Sequence, residues 1–136
     1  MTNLLTKQKI TDILNTASYP KNEYWVTAGA GLVMHGVKST TRDIDMGCTS
    51  LLADMLIQKG AKWEYLDDSN RKIEPLPGLE LFENWNVDCA VLIDGVSVAS
   101  LCSIRKQKAE LNRAKDWDDI SLIDKYLKMH PSQRNS

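Results

Sequence analysis

The sequence predicts an α/β domain, a mixed twisted β-sheet with helices packed on one side. Three observations carry that expectation. Short aromatic, β-branched or alternating stretches recur between stretches of helical periodicity, which is how layered α/β chains read. The chain has 136 residues, the size of one ordinary domain. Its 43% hydrophobic and 26% charged residues give a globular composition. Residues 1–130 are expected to form one domain and 131–136 a flexible tail, with neither a repeat nor a linker to divide them.

Leu5, Ile10, Ile13 and Leu14 recur near helical spacing, predicting a first helix that ends before Ser18-Tyr19-Pro20. Tyr24-Trp25-Val26-Thr27 reads as a strand, and Ala28-Gly29-Ala30-Gly31 turns it into a short helix ended by Gly36. After the polar loop Lys38–Arg42, residues Asp43 to Cys48 alternate acid and apolar side chains with the period of a strand. Ser50 is placed to cap a helix carrying Leu51, Leu52, Met55, Leu56 and Ile57, with Gly60 as its stop. Lys62 to Leu66 alternates as a strand, Asp67 to Asn70 is turn-rich, and Pro75-Leu76-Pro77-Gly78 is expected to break regular structure. Val87 to Ile93 has the pattern of a central strand, and Asp94-Gly95 signals a short hairpin into Val96-Ser97-Val98. Leu101 to Asn112 and Asp116 to Met129 read as helices, with Asp116, Asp118 and Asp119 at the positive end of the second.

Composition excludes several classes. The longest apolar run, Val87 to Ile93, is interrupted by Asp88 and falls far short of the roughly 20 residues that cross a bilayer. The first ten residues lack the apolar core of a secretory leader, so the cytoplasm is the expected location. With 17 basic against 18 acidic residues, no overall field favours tight non-specific nucleic-acid binding. Cys48, Cys89 and Cys102 are odd in number and lie in apolar surroundings, so reduced, buried thiols are expected. His35 reads as a packed or hydrogen-bonded histidine, and the four tryptophans as core or interface anchors.

The chemistry concentrates in three acids. Asp43 and Asp45 on one strand face stand about 7 Å apart at the backbone, twice the strand rise, and their side chains can converge on one cation. Like charges so close repel unless a cation neutralises them, and magnesium suits a set of carboxylate oxygens. Taken alone, such a pair also occurs on solvated strands. Asp88 adds weight, because a carboxylate inside an apolar strand costs several kcal/mol without a partner. It either faces a solvent cleft or neighbour, or shares a metal with the pair. Upstream, Ala28-Gly29 reads as a tight turn that needs small residues for steric reasons, or as a phosphate cradle at a helix start.

The segments AGAGLVMHG, TTRDIDMGC, VDCAVL and LNRAKDWDDI together resemble the nucleotidyltransferase superfamily of polymerase-beta-like fold. Within it they look most like the small prokaryotic minimal nucleotidyltransferases, with their toxin-associated and abortive-infection groups. The resemblance spans about residues 24 to 128. It implies a nucleotidyltransferase-like sheet, with Asp43, Asp45 and Asp88 as catalytic and metal-binding acids. Gly29 would contact a triphosphate, Arg42 would lie near the phosphates, and Lys108 and Lys115 would offset their charge. Ala28 departs from the pattern, standing where glycine is usual. Lys115-Asp116 equally fits a simple charge arrangement at a helix start.

The implied activity is magnesium-dependent transfer of a nucleoside monophosphate from ATP or another nucleoside triphosphate to an acceptor hydroxyl on RNA, protein or a small molecule. Two ions about 3.5–4 Å apart would serve it. A partner protein or a second copy would complete the site on its open side. Two alternatives remain: a non-catalytic binding module of a toxin–antitoxin or similar complex, and a metal-dependent hydrolase of nucleotides or phosphate esters.

Overall fold

In the computed structural model, residues 4–133 are described. The elements run α1 (Lys7–Ala17), β1 (Tyr24–Thr27), α2 (Ala28–Met34), β2 (Ile44–Cys48), α3 (Ser50–Gln58), β3 (Lys62–Tyr65) and β4 (Arg71–Leu76). They continue as β5 (Leu79–Glu83), β6 (Ala90–Ile93), β7 (Val96–Ala99), α4 (Leu101–Leu111) and α5 (Ala114–Met129). The seven strands form one sheet in the order β3-β4-β5-β2-β1-β7-β6. Strand β2 runs parallel to β5, and β1 parallel to β7, while the other neighbours are antiparallel, so the sheet is mixed. Among the described residues no helix is long and apolar enough to cross a membrane.

Local chemistry sets most boundaries. Helix α1 starts where the Thr6 hydroxyl accepts from Lys9 N–H, and ends where Ser18 adopts a left-handed conformation at φ 56°. Helix α3 is capped by Thr49, whose hydroxyl accepts from Leu52 N–H, and not by Ser50 as expected. Asp94 and Gly95 both have positive φ, 51° and 79°, the backbone of the tight turn that Asp-Gly favours between β6 and β7. Helix α5 begins with Asp116 bonding back to Arg113 N–H, which fixes that acid inside the first turn.

The middle of the chain departs from expectation. Pro75 does not break the structure: β4 runs through it to Leu76, and the register with β5 shifts between Ile73 and Leu76. A proline donates no hydrogen bond, and a bulge is where a strand tolerates that loss. Gly78, at φ 82°, then turns the chain into β5, a strand the sequence reading lacked. The expected central strand over 87–93 is shorter and lies elsewhere. It is β6, Ala90–Ile93, at the edge of the sheet, with Ala90 and Leu92 exposed. At the C-terminus, Pro131–Gln133 forms a 3-10 turn; the rest of the expected tail lies outside the described residues.

Alternation along the strands divides the sheet into two faces. Val26, Met46, Cys48, Ile73, Leu79 and Leu81 pack with Ile10 and Leu14 of α1 and with Leu52 and Leu56 of α3. The opposite face carries Trp25, Thr27, Asp45, Gly47, Glu80 and Phe82, paired across β1, β2 and β5. Helix α4 covers part of it, since Gln107 bonds Thr27, and Trp25 packs with the cluster of Leu32, Leu101, Ile104 and Ile123. Helices therefore lie on both faces rather than one. Of the cysteines expected to be buried, only Cys48 is; Cys89 and Cys102 are exposed. Trp63 and Trp117 are also largely exposed, while His35 is packed as expected, its Nε2 at 2.8 Å from the Ala99 carbonyl.

Two buried acids make the fold acid-sensitive. Glu83 is held by Arg71 through paired bonds of 2.9 and 2.8 Å, and Asp116 by Arg113 through bonds of 2.6 and 3.0 Å. The arginine bonds hold both carboxyls at about 2, below their usual 4.5 and 3.8. Folded values below unfolded ones mean that this stability is present above about pH 4.5 and lost as pH falls toward 2. Thermal melts of the metal-free protein should show a midpoint that falls steeply between pH 4.5 and 2.5. A midpoint unchanged across that range would remove these pairs from the account.

Candidate metal centre

Strand β2 and its parallel neighbour β5 build the site. Asp45 pairs with Glu80 in register, so the two acids point from adjacent strands to the same face. Asp43 lies one residue before β2, two positions from Asp45, where the strand is held by Ile44 N–H donating to Gly78. The carboxylates of Asp43, Asp45 and Glu80 offer ligand atoms all within 4.8 Å of one another. Asp43 is exposed and the other two are half-buried.

Three acids so close are costly as bare charges. The Asp45 carboxyl is pushed up to about 6, first by burial and then by Asp43 and Glu80, with Lys108 and Lys115 pulling it down. Glu80 is partly compensated by Lys72, whose ammonium stands 3.0 Å from it and 3.2 Å from Glu64. A hard divalent cation would relieve the remaining repulsion, and an all-carboxylate donor set fits magnesium or manganese rather than a soft metal.

Asp88 does not belong to this cluster. It sits on a bend ahead of β6, its side chain is 73% exposed, and it pairs with Lys106 at 3.1 Å. The apolar run around it is an edge segment, so no buried charge demanded a partner. Glu80 takes the third place. The signal for it was present: Leu79-Glu80-Leu81 alternates apolar and acid as Ile44-Asp45-Met46 does, hidden behind the prolines that suggested a break.

The other expected contacts divide. Ala28 lines the same cavity as Asp45, directly after Thr27, the register partner of that acid. It holds a left-handed φ of 54°, which explains why glycine would suit the position. Gly29 is needed for a different neighbour: a Cβ there would come 2.9 Å from the Thr41 hydroxyl. Arg42 is exposed and lines a separate hollow with Leu5, Ile13 and Leu79, away from the Asp45 cavity. Lys108 is a buried helix charge. Its side chain is 7% exposed, and its ammonium is 2.9 Å from Asp119 and 3.6 Å from fully buried Asp116, so it locks α4 to α5. Lys115 is exposed at the start of α5, with its charge felt at Asp45.

The left-handed Ala28 gives a test of local strain. Replacing it by glycine removes a conformational cost of about 1–2 kcal/mol and adds unfolded-state entropy of about 0.5–1 kcal/mol. Ala28→Gly should therefore raise the melting temperature by a few degrees. A decrease would show that Ala28 is unstrained.

Beside the acids opens a cavity of about 460 Å³, walled by Phe82 and Trp85 on one side and by Gln107, Lys108 and Leu111 of α4 on the other. The Trp85 wall is anchored across Gly47. Trp25 crosses that residue to donate its indole N–H to the Trp85 carbonyl at 2.8 Å. No family model matches the chain, and neither a curated protein nor a solved structure does.

Proposed function

We propose that the chain is a metal-dependent nucleotidyltransferase, joining a nucleoside monophosphate from a nucleoside triphosphate to an acceptor hydroxyl. The observation that carries this reading is the convergence of Asp43, Asp45 and Glu80, of which Asp45 also lines a cavity large enough for a nucleotide. Carboxylates alone would repel a triphosphate. A site of this composition makes chemical sense when a divalent cation stands between acid and phosphate.

In the reaction, an acceptor oxygen bonds to the α-phosphorus while the bond to the β-phosphate oxygen breaks and pyrophosphate leaves. The hydroxyl proton passes to a carboxylate of the cluster. Magnesium held there would offset phosphate charge and polarise the group under attack. The chain itself contributes position and electrostatics, the larger share of catalysis in phosphoryl-type transfer. Asp43, Asp45 and Glu80 orient the donor. Lys115 suits the phosphates better than Lys108, because the Lys108 ammonium is already neutralised by Asp116 and Asp119.

The expected experiment incubates the protein with labelled nucleoside triphosphates, magnesium and a cell extract. Label appearing on RNA, protein or a small molecule supports transfer and identifies the acceptor. Release of free nucleotide without labelled acceptor supports the hydrolase reading. No turnover of any triphosphate by folded protein contradicts both and leaves the non-catalytic binding module.

A further inference from the structure

The cavity beside the acids is more than a route to them. Among polar rim residues such as Asp67, Asn84 and Arg113, its lining includes an apolar set, with Leu66 and Leu111 exposed and Phe82 and Trp85 half-buried, the two rings packed edge to face at 5.4 Å. Phosphates and a hydrated cation make no use of such walls. A flat, partly apolar group does, because it can bury its faces against aromatic and aliphatic carbon.

A second, independent observation lies in the same wall. Gln107 is 7% exposed and lines the cavity, one helical turn from Leu111 on the same face of α4. Its Oε1 accepts from the Thr27 hydroxyl at 2.5 Å. Its Nε2 is buried with no hydrogen-bond partner. Leaving a buried amide donor unsatisfied is costly, so its retention beside a cavity points to an acceptor that arrives with a ligand.

Resting on the nucleotidyltransferase reading, we propose that this cavity receives the base of the nucleoside triphosphate, seated against Phe82, Trp85 and Leu111, and that Gln107 donates to an acceptor atom on that nucleoside. Thr27 is the positioning residue for Gln107. It sits opposite Asp45 in the β1–β2 register, so the residue that positions the amide and the metal-binding acid stand side by side on one pair of strands.

The test compares binding of each nucleoside triphosphate with binding of inorganic tripolyphosphate, both with magnesium, by calorimetry. In the wild type at least one nucleoside triphosphate should bind tenfold or more tightly than tripolyphosphate. In Gln107→Met, and in Leu111→Ser at the exposed rim where folding is not at stake, that ratio should fall toward one. Equal affinities in the wild type, or a ratio untouched by both variants in folded protein, would overturn the base pocket while leaving the metal site standing. Failure of the wild type to bind either ligand with magnesium would overturn the metal-site reading and the pocket with it.

Discussion

Asp45→Asn should abolish magnesium-dependent triphosphate binding and, in the same protein, leave the metal-free fold as stable as before or more so. The two effects have one cause. The carboxyl at position 45 is pushed up to about 6 by burial and by Asp43 and Glu80, so in the metal-free protein at neutral pH its charge opposes folding. An acid whose folded value exceeds its unfolded one contributes stability below the unfolded value and loses it as pH rises through the folded one. At pH 7.5 the amide should therefore be worth a gain on the order of 1–2 kcal/mol after solvent screening. Metal-induced stabilisation moves the opposite way. Excess magnesium or manganese should raise the wild-type melting temperature and leave Asp45→Asn unmoved. A variant that loses the metal response only because it unfolds would point to a structural role for Asp45.

Gly47→Ala should be among the most damaging single-methyl additions in the chain. A Cβ at that position would stand 2.0 Å from the Trp25 indole nitrogen and 2.5 Å from the Trp85 carbonyl oxygen. Neither can yield cheaply, because one is a ring edge and the other is backbone, and the two are bonded to each other. Overpacking typically costs about 1–3 kcal/mol, and breaking a partly buried hydrogen bond adds about 1–3 kcal/mol. Against a total stability of about 5–15 kcal/mol this is a large share. Denaturant melts should show a loss of 3 kcal/mol or more, on the order of those two costs combined. Trp85 should also leave the cavity wall and weaken nucleoside binding. A loss below about 1 kcal/mol would mean that the β1–β2 ribbon can part without cost, contrary to the packing described.

Much of this was legible in the sequence where local chemistry decides. The Asp43 and Asp45 placement follows from period-2 alternation, and the Asp94-Gly95 turn from the φ values that pair tolerates. The α5 start follows from its acids. What was hidden depends on long-range pairing. Pro75 looked like a break because a bulge that absorbs a proline exists only once β5 pairs with β4. With β5 unread, Glu80 had no strand to stand on, and Asp88, read as an acid inside an apolar strand, took its place. The burial of Lys108 was hidden because its partners, Asp116 and Asp119, lie on the next helix. Edge and central strands share one apolar pattern, so nothing local marked β6 as the rim of the sheet.

The assignment of the third acid is the point at which sequence and structure part, and one titration separates them. Manganese binding, followed by the loss of its free-ion paramagnetic resonance signal, should be measured on the wild type, Glu80→Gln and Asp88→Asn in folded protein. Glu80→Gln should weaken binding by about tenfold or more, since loss of even an outer-shell partner of a metal ligand costs about 10–100-fold. Asp88→Asn, an exposed residue paired with Lys106, should bind as the wild type does. Weakened binding in Asp88→Asn with Glu80→Gln unchanged would contradict the Asp43–Asp45–Glu80 centre.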